Sequence, residues 1–171
     1  LLGCADDGTR VHLVSNRSEI GAAADLVRLA SLREMPLCAR PWGDLAACRV
    51  TRSWRALIRA GAVRDSSTLV VIAAPDDTRD SWLAAGRVME RVWLTAVADG
   101  LAMAPMAVPI EHDAARRALA ALVDEPADSP MVFARLGAAS RWPRRATSRR
   151  QQEDVVDLPI ECPGRRTGDV A

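Results

Sequence analysis

A chain of 171 residues, 49% hydrophobic and 26% charged, is long enough to bury one substantial core and has an ordinary globular composition. Its formal net charge of +1, with every basic residue an arginine, supplies no overall field that would draw it to nucleic acid or to a membrane. No uninterrupted apolar run reaches the length that spans a bilayer.

In chain order, the turn-like Asp6-Asp7-Gly8 precedes Val11-His12-Leu13-Val14-Ser15, a run that predicts a strand. Ser18 is placed to cap a helix along which Ile20, Ala23, Ala24, Val27 and Ala30 recur at helical spacing, and Pro36 is expected to end it. Leu45, Cys48, Trp54, Leu57 and Ile58 suggest one or two helices over residues 37–65, with Gly43 and Gly61 as breaks. Residues 68–74 form a continuous β-branched apolar run, the pattern of a central strand covered on both faces.

Pro75-Asp76-Asp77 ends that strand, and Asp80 or Ser81 is expected to cap a long helix reaching about Asp99. Gly100 suits the left-handed turn that closes it. The buried face of this helix is predicted to hold Trp82, Ala85, Met89, Val92 and Ala96, widened by Leu83, Gly86, Trp93 and Val97, with Arg87 and Arg91 opposite. So wide an apolar face predicts contact on more than one side. Asp113 is expected to cap a shorter helix with Leu119, Leu122 and Val123 inward, closed by Glu125-Pro126. Met131–Leu136 reads as the last strand, and the chain beyond is polar, arginine-rich and aperiodic. Strands alternating with helices predict an α+β fold, an α/β sandwich. Three strands are few for a stable sheet, which suggests an incomplete lobe. The expected division is a lobe over residues 1–137 and an extended Arg-rich arm over residues 138–171.

Cys4, Cys38, Cys48 and Cys162 are irregularly spaced and form no C-x-x-C, and His12 and His112 are the only imidazoles. Zinc needs ligands that converge in pairs, so no metal site is expected; the cysteines read as unlinked thiols of a cytoplasmic protein.

One ordered set of segments carries further information. It consists of the helix-like Ser81-Trp82-Leu83-Ala84-Ala85-Gly86-Arg87-Val88-Met89-Glu90-Arg91-Val92-Trp93-Leu94, then Gly100-Leu101-Ala102, then Val108-Pro109-Ile110-Glu111, and finally Thr147-Ser148-Arg149-Arg150. This order resembles the C-terminal half of the nitroreductase-like flavoproteins, in particular their two-lobed, dormancy-associated subfamily. The resemblance implies a central mixed sheet flanked by helices, FMN as cofactor, and a pocket formed where two lobes or two subunits meet. It implies that Pro109, Ile110 and Glu111 line the flavin and that Arg149 and Arg150 hold its phosphate. A fixed proline φ keeps such a segment rigid against a planar ring, and an arginine fork matches phosphate oxygens. Two departures stand out: His112 occupies a position that is often glycine in the family, and Ser148 and Gln151 stand where prolines are common.

The implied activity is transfer of hydride from NAD(P)H through FMN to a nitroaromatic or quinone-like acceptor, with a second lobe or homodimer partner and without nucleic acid or membrane. Other readings stay open. The chain could store flavin without turnover, or be a non-catalytic remnant or interaction module that has lost its N-terminal part. Pro109-Ile110-Glu111 could be an ordinary loop into a helix, with Glu111 favoured by the helix dipole. Arg141, Arg144, Arg145, Arg149 and Arg150 beside Trp142 could be a solvated tail. Trp42, Trp54, Trp82, Trp93 and Trp142 are expected mostly in the core, Met103 and Met106 as core filler, and His12 as structural.

Overall fold

The computed structural model describes residue 3, residues 8–33 and residues 45–138, with side chains from residue 53 onward in the last stretch. All of these fall in one compact unit, Leu1–Ala139. Arg149, Arg150, the four cysteines' side chains, Trp42, Gly43 and Trp142 lie outside what is described.

The sequence run Thr68–Ala74 forms β2, and its alternation organises the molecule. Leu69 and Val71 point into one core, Val70 and Ile72 into another, and all four are fully buried. Strand β1 (Arg10–Val14) lies on one side of β2, and β4 (Ser129–Ala138) on the other, with β3 (Leu101–Pro105) beyond it. The order is β1-β2-β4-β3, and every pairing is antiparallel. The described sheet is therefore antiparallel throughout rather than mixed, and it has four strands rather than the three expected. The addition is β3, which follows the Gly100 turn directly.

The β2–β4 register slips between Ile72, opposite Val132, and Ala73, opposite Pro130. Met131 is the extra residue. Pro130 has no N–H to give the ladder, so the bulge falls where a regular pairing would lack a donor.

Helices cover both faces. Helix α1 (Arg17–Arg33), helix α2 (Leu45–Arg64) and helix α5 (Asp113–Leu122) lie on one side, where Ile20, Val27, Val63 and Leu119 meet Val71 and Phe133. Helix α3 (Arg79–Ala98) covers the other, where Ala85, Val88, Val92 and Ala96 meet Val70, Ile72, Met103 and Leu136. The result is a three-layer α+β sandwich.

Several local expectations are corrected. Asn16, not Ser18, caps α1: its Oδ1 accepts from the Ser18 N–H at 2.9 Å and from the Ser18 hydroxyl at 2.8 Å. Thr78, not Asp80 or Ser81, caps α3, and its Oγ1 accepts from the Ser81 N–H. Asp113 is the first residue of α5 and makes no cap; His112 precedes it without a side-chain capping bond. Gly61 does not break α2, which runs through it, because one interior glycine costs a helix only about 1 kcal/mol. Gly100 does adopt the left-handed conformation expected, at φ +74°.

The buried face of α3 is rotated from the one predicted. Ala84, Ala85, Val88, Val92 and Ala96 face the sheet, whereas Trp82, Leu83 and Leu94 are 55%, 60% and 63% exposed. Trp54 also projects outward, so the described tryptophans are not core residues. Helix α3 is thus apolar on two opposite sides: small residues against the sheet, large ones outward.

Candidate functional site

Pro109, Ile110 and Glu111 are brought into view by the turn from α3 into the sheet edge. Gly100 N donates to Val97 O at 3.0 Å, which closes the helix and sends Leu101–Pro105 along β4. At the end of β3 the Met106 N–H donates to Phe133 O at 2.8 Å, pinning the chain to the sheet before it turns. Val108–Glu111 then forms the short helix α4, with proline in its first turn, where a missing N–H costs nothing. Ile110 N and Glu111 N both return to Ala107 O, at 2.8 and 3.1 Å.

The segment expected to lie rigid against a planar ring is one helical turn. Its apolar side chains are largely used by the fold. Val108 is buried with Ala30 of α1 and Ala115 of α5, and Pro109 is fully buried. Ile110 is partly buried against the core that contains Phe133 and Leu119, and Glu111 is exposed. The exposed edge of this turn consists of Glu111 and the free side of Ile110.

His112 joins α4 to α5 at φ −110° and ψ 113°, ordinary extended backbone that does not require glycine. Its ring is half-buried, and its Nε2 is enclosed without a hydrogen-bond partner. The same is true of His12 Nε2 on β1 and Arg135 Nε on β4. Arg135 uses its Nη1 to donate to Ala62 O at 3.1 Å, near the C-terminal end of α2, where the helix dipole favours a cation. Arg135 stands opposite Ala104 of β3 and was not singled out from sequence. A lone arginine inside an apolar strand was the available signal.

A cavity of about 240 Å³ lies between α5 and the start of β4, lined by Asp113, Arg116, Arg117, Pro126, Asp128 and Ser129 among others. Its charges are largely matched within the protein. Arg116 bridges Asp77 at 2.8 Å and Asp113 at 3.5 Å, and Asp128 takes Arg10 at 2.6 Å. Pro109, Ile110 and Glu111 do not line it.

The ion-paired Asp77 belongs to the structure that starts α3. The Trp82 indole donates to Asp77 Oδ1 at 2.6 Å, and this bond, helped by Arg116, holds the Asp77 carboxyl below its ordinary value of 3.8. Asp76 is lowered likewise, first by its bond from the Ser81 hydroxyl and then by Thr78. Both folded values lie below the unfolded one. The stabilisation is therefore complete above pH 3.8 and is lost as pH falls through the folded values. An NMR titration of the Trp82 indole N–H is expected to show its hydrogen-bonded shift retained at pH 3.8 and lost only below it. A midpoint at or above that value would mean that the Trp82–Asp77 bond is absent.

The described residues test how well this segment suits FMN. The half-buried Ile110 offers an apolar surface and the Met106–Phe133 backbone bond anchors the turn, whereas His112 Nε2 is enclosed by the protein and presents no surface to a ring. The first two features fit one wall of a ring site. The two arginines assigned to the phosphate fall outside the described residues.

Comparison with solved structures bears on the fold. A nitroreductase with bound FMN from Bacteroides fragilis NCTC 9343 superposes with a TM-score of 0.61 at 11% identity, over 92% of this chain and 84% of that one. The FMN and NADPH-dependent nitroreductase NfnB from Sphigopyxis sp. strain HMH gives 0.56 at 18% identity, over 89% and 80%. The chain has the nitroreductase fold. A BluB-like flavoprotein from Clostridium difficile 630 has the same fold, with a TM-score of 0.61 at 12% identity over 89% and 80%. No family model and no curated protein matches the sequence. Identities this low establish the nitroreductase fold and leave the chemistry to the residues. No described helix is long and apolar enough to cross a membrane.

Proposed function

We propose that this chain is an FMN-dependent oxidoreductase of nitroreductase type, passing hydride from NAD(P)H to a nitroaromatic or quinone-like acceptor in the cytoplasm. The observation that carries the reading is the uninterrupted path from the Gly100 turn through β3 to the Pro109-Ile110-Glu111 turn, on a fold whose solved examples include FMN-bound nitroreductase. Bound FMN would supply the hydride chemistry. The chain's own part would be to place Pro109, Ile110 and Glu111 beside the ring and to hold the phosphate through Arg149 and Arg150. The outward stripe of Trp82, Leu83, Leu94 and Val97 on α3 supports a second lobe or a second copy as the element that completes the pocket.

A titration of FMN into the protein, followed by flavin fluorescence, tests this directly. Binding should saturate, and the Arg149→Ala, Arg150→Ala double variant should weaken it by about 100-fold, the scale of two charge-assisted phosphate contacts. NADH or NADPH should then bleach the flavin absorbance. Absence of saturable binding would overturn the flavin reading.

A second reading, flavin binding without turnover, is favoured by one feature. His112 stands at the junction of α4 and α5, a position that is often glycine in the resembled family, and its imidazole is half-buried there. Bound flavin that neither NADH nor NADPH reduces would establish it.

A further inference from the structure

The cavity of about 240 Å³ between α5 and the start of β4 has one wall from each. Asp113, Arg116, Arg117 and Ala120 recur at helical spacing, so a single face of α5 forms the first wall. The segment leading into β4 forms the second and ends in Ser129 and Pro130. Ala120 and Pro130 are buried and give the cavity an apolar part. Most of its charged groups already have partners. Arg116 is held by Asp77 at 2.8 Å and by Asp113 at 3.5 Å. The Asp128 side chain, 7% exposed, receives Arg10 at 2.6 Å. Arg117 is the exception. It makes no ion pair with a described residue, because Asp113, one turn earlier on the same face, leans to Arg116 instead. The Ser129 hydroxyl likewise has no hydrogen-bond partner among the described residues. One guanidinium and one hydroxyl are thus left uncommitted around a partly apolar space.

We propose that this cavity binds a small monocarboxylate with an apolar body, its carboxylate on Arg117 and Ser129 and its body against Ala120 and Pro130. A guanidinium fork matches the two oxygens of a carboxylate, and a hydroxyl can donate a further bond to one of them. Charge selects the valence. One uncommitted cation balances one negative charge, whereas the second charge of a phosphate would stand near Asp113 and Asp128 with no further cation to meet it. A cationic ligand would face Arg117 itself. Size selects the body: the cavity lies below the range of about 300–1,000 Å³ usual for drug-sized ligands, so it suits one ring or a short aliphatic chain. The inference does not depend on the flavin reading.

The test is an NMR titration of the full chain with benzoate, benzyl alcohol and inorganic phosphate, following the backbone N–H groups of Arg117, Ala120 and Ser129. Benzoate is expected to shift them saturably with a Kd of about 1 mM, the scale for a ligand of this size. Benzyl alcohol, which keeps the ring and lacks the charge, should bind at least about tenfold more weakly, and so should phosphate. Arg117→Ala should weaken benzoate by about tenfold or more while leaving benzyl alcohol unchanged, a split that a general disturbance of α5 would not produce. Arg117 is exposed, so the variant should keep the wild-type circular dichroism. Arg117→Lys should retain part of the benzoate affinity, since it keeps the charge and loses the fork. Absence of saturable shifts up to about 20 mM benzoate would overturn the proposal. So would phosphate or benzyl alcohol binding as tightly as benzoate, or benzoate binding that Arg117→Ala leaves intact.

Discussion

Replacing Phe133 by alanine is expected to lower the unfolding free energy by about 3–5 kcal/mol, seen as a fall in the denaturant midpoint with the slope unchanged. Phe133 is 1% exposed and is the chain's single phenylalanine. It sits on β4 opposite Val71 and faces the core shared by α1, α2 and α5. The surroundings cannot collapse readily into the space it leaves. Its strand is held by β2 on one side and β3 on the other, and its own carbonyl anchors Met106. Met106 and Ile110 pack against the same core, so the cavity would also loosen the turn assigned to the flavin. A loss below about 1 kcal/mol would mean that Phe133 is not the centre of this core.

Two substitutions on one helix should have opposite outcomes. Val88→Asp is expected to prevent folding, because residue 88 is fully buried against Val70, Ile72 and Leu136 and no base is among the buried described residues. Burying a charge without a partner costs several kcal/mol, comparable with the whole stability of a domain. Leu83→Asp, on the outward side at 60% exposure, should leave a cooperatively folding protein within about 0.5 kcal/mol of the parent. Thermal melts followed by circular dichroism separate the cases. If Leu83→Asp unfolds the chain and Val88→Asp does not, the orientation of α3 described above is wrong.

That pair of residues also shows where the sequence could and could not be read. The length and ends of α3, the left-handed Gly100 and the doubly buried β2 follow from local pattern. Spacing, φ preference and continuous β-branched residues each act over a few positions. The orientation of α3 does not follow. Ranking side chains by hydrophobicity puts Trp82, Leu83 and Trp93 inside, but close packing of a helix on a sheet favours Ala84, Ala85 and Ala96, and the bulky residues turn outward. Strand β3 was hidden because Leu-Ala-Met-Ala-Pro has little β-branched character, and it forms as an edge strand only because β4 offers it a partner. The caps stand two or three residues from the expected ones, since Asn16 and Thr78 lie just upstream of polar residues that look equally suitable.

The candidate site divides in the same way. Pro109, Ile110 and Glu111 were locatable by resemblance, but their conversion into one turn of helix depends on Val108 finding Ala30 and Ala115, contacts distant in sequence. His112 was noticed only for its place beside Glu111; that its Nε2 is enclosed and unpartnered is visible only once α4 and α5 are in place.

The strand order has a kinetic consequence. In none of the three strand pairings are the partners joined by a tight turn: α1 and α2 separate β1 from β2, everything from α3 to α5 separates β2 from β4, and α4 and α5 separate β3 from β4. Among the described residues no hairpin is available to nucleate the sheet. The fast events open to this chain are helical, and each strand must await a partner brought in by closure of a long loop. The expected rate-limiting step is therefore assembly of the central layer around β2 rather than formation of any local segment.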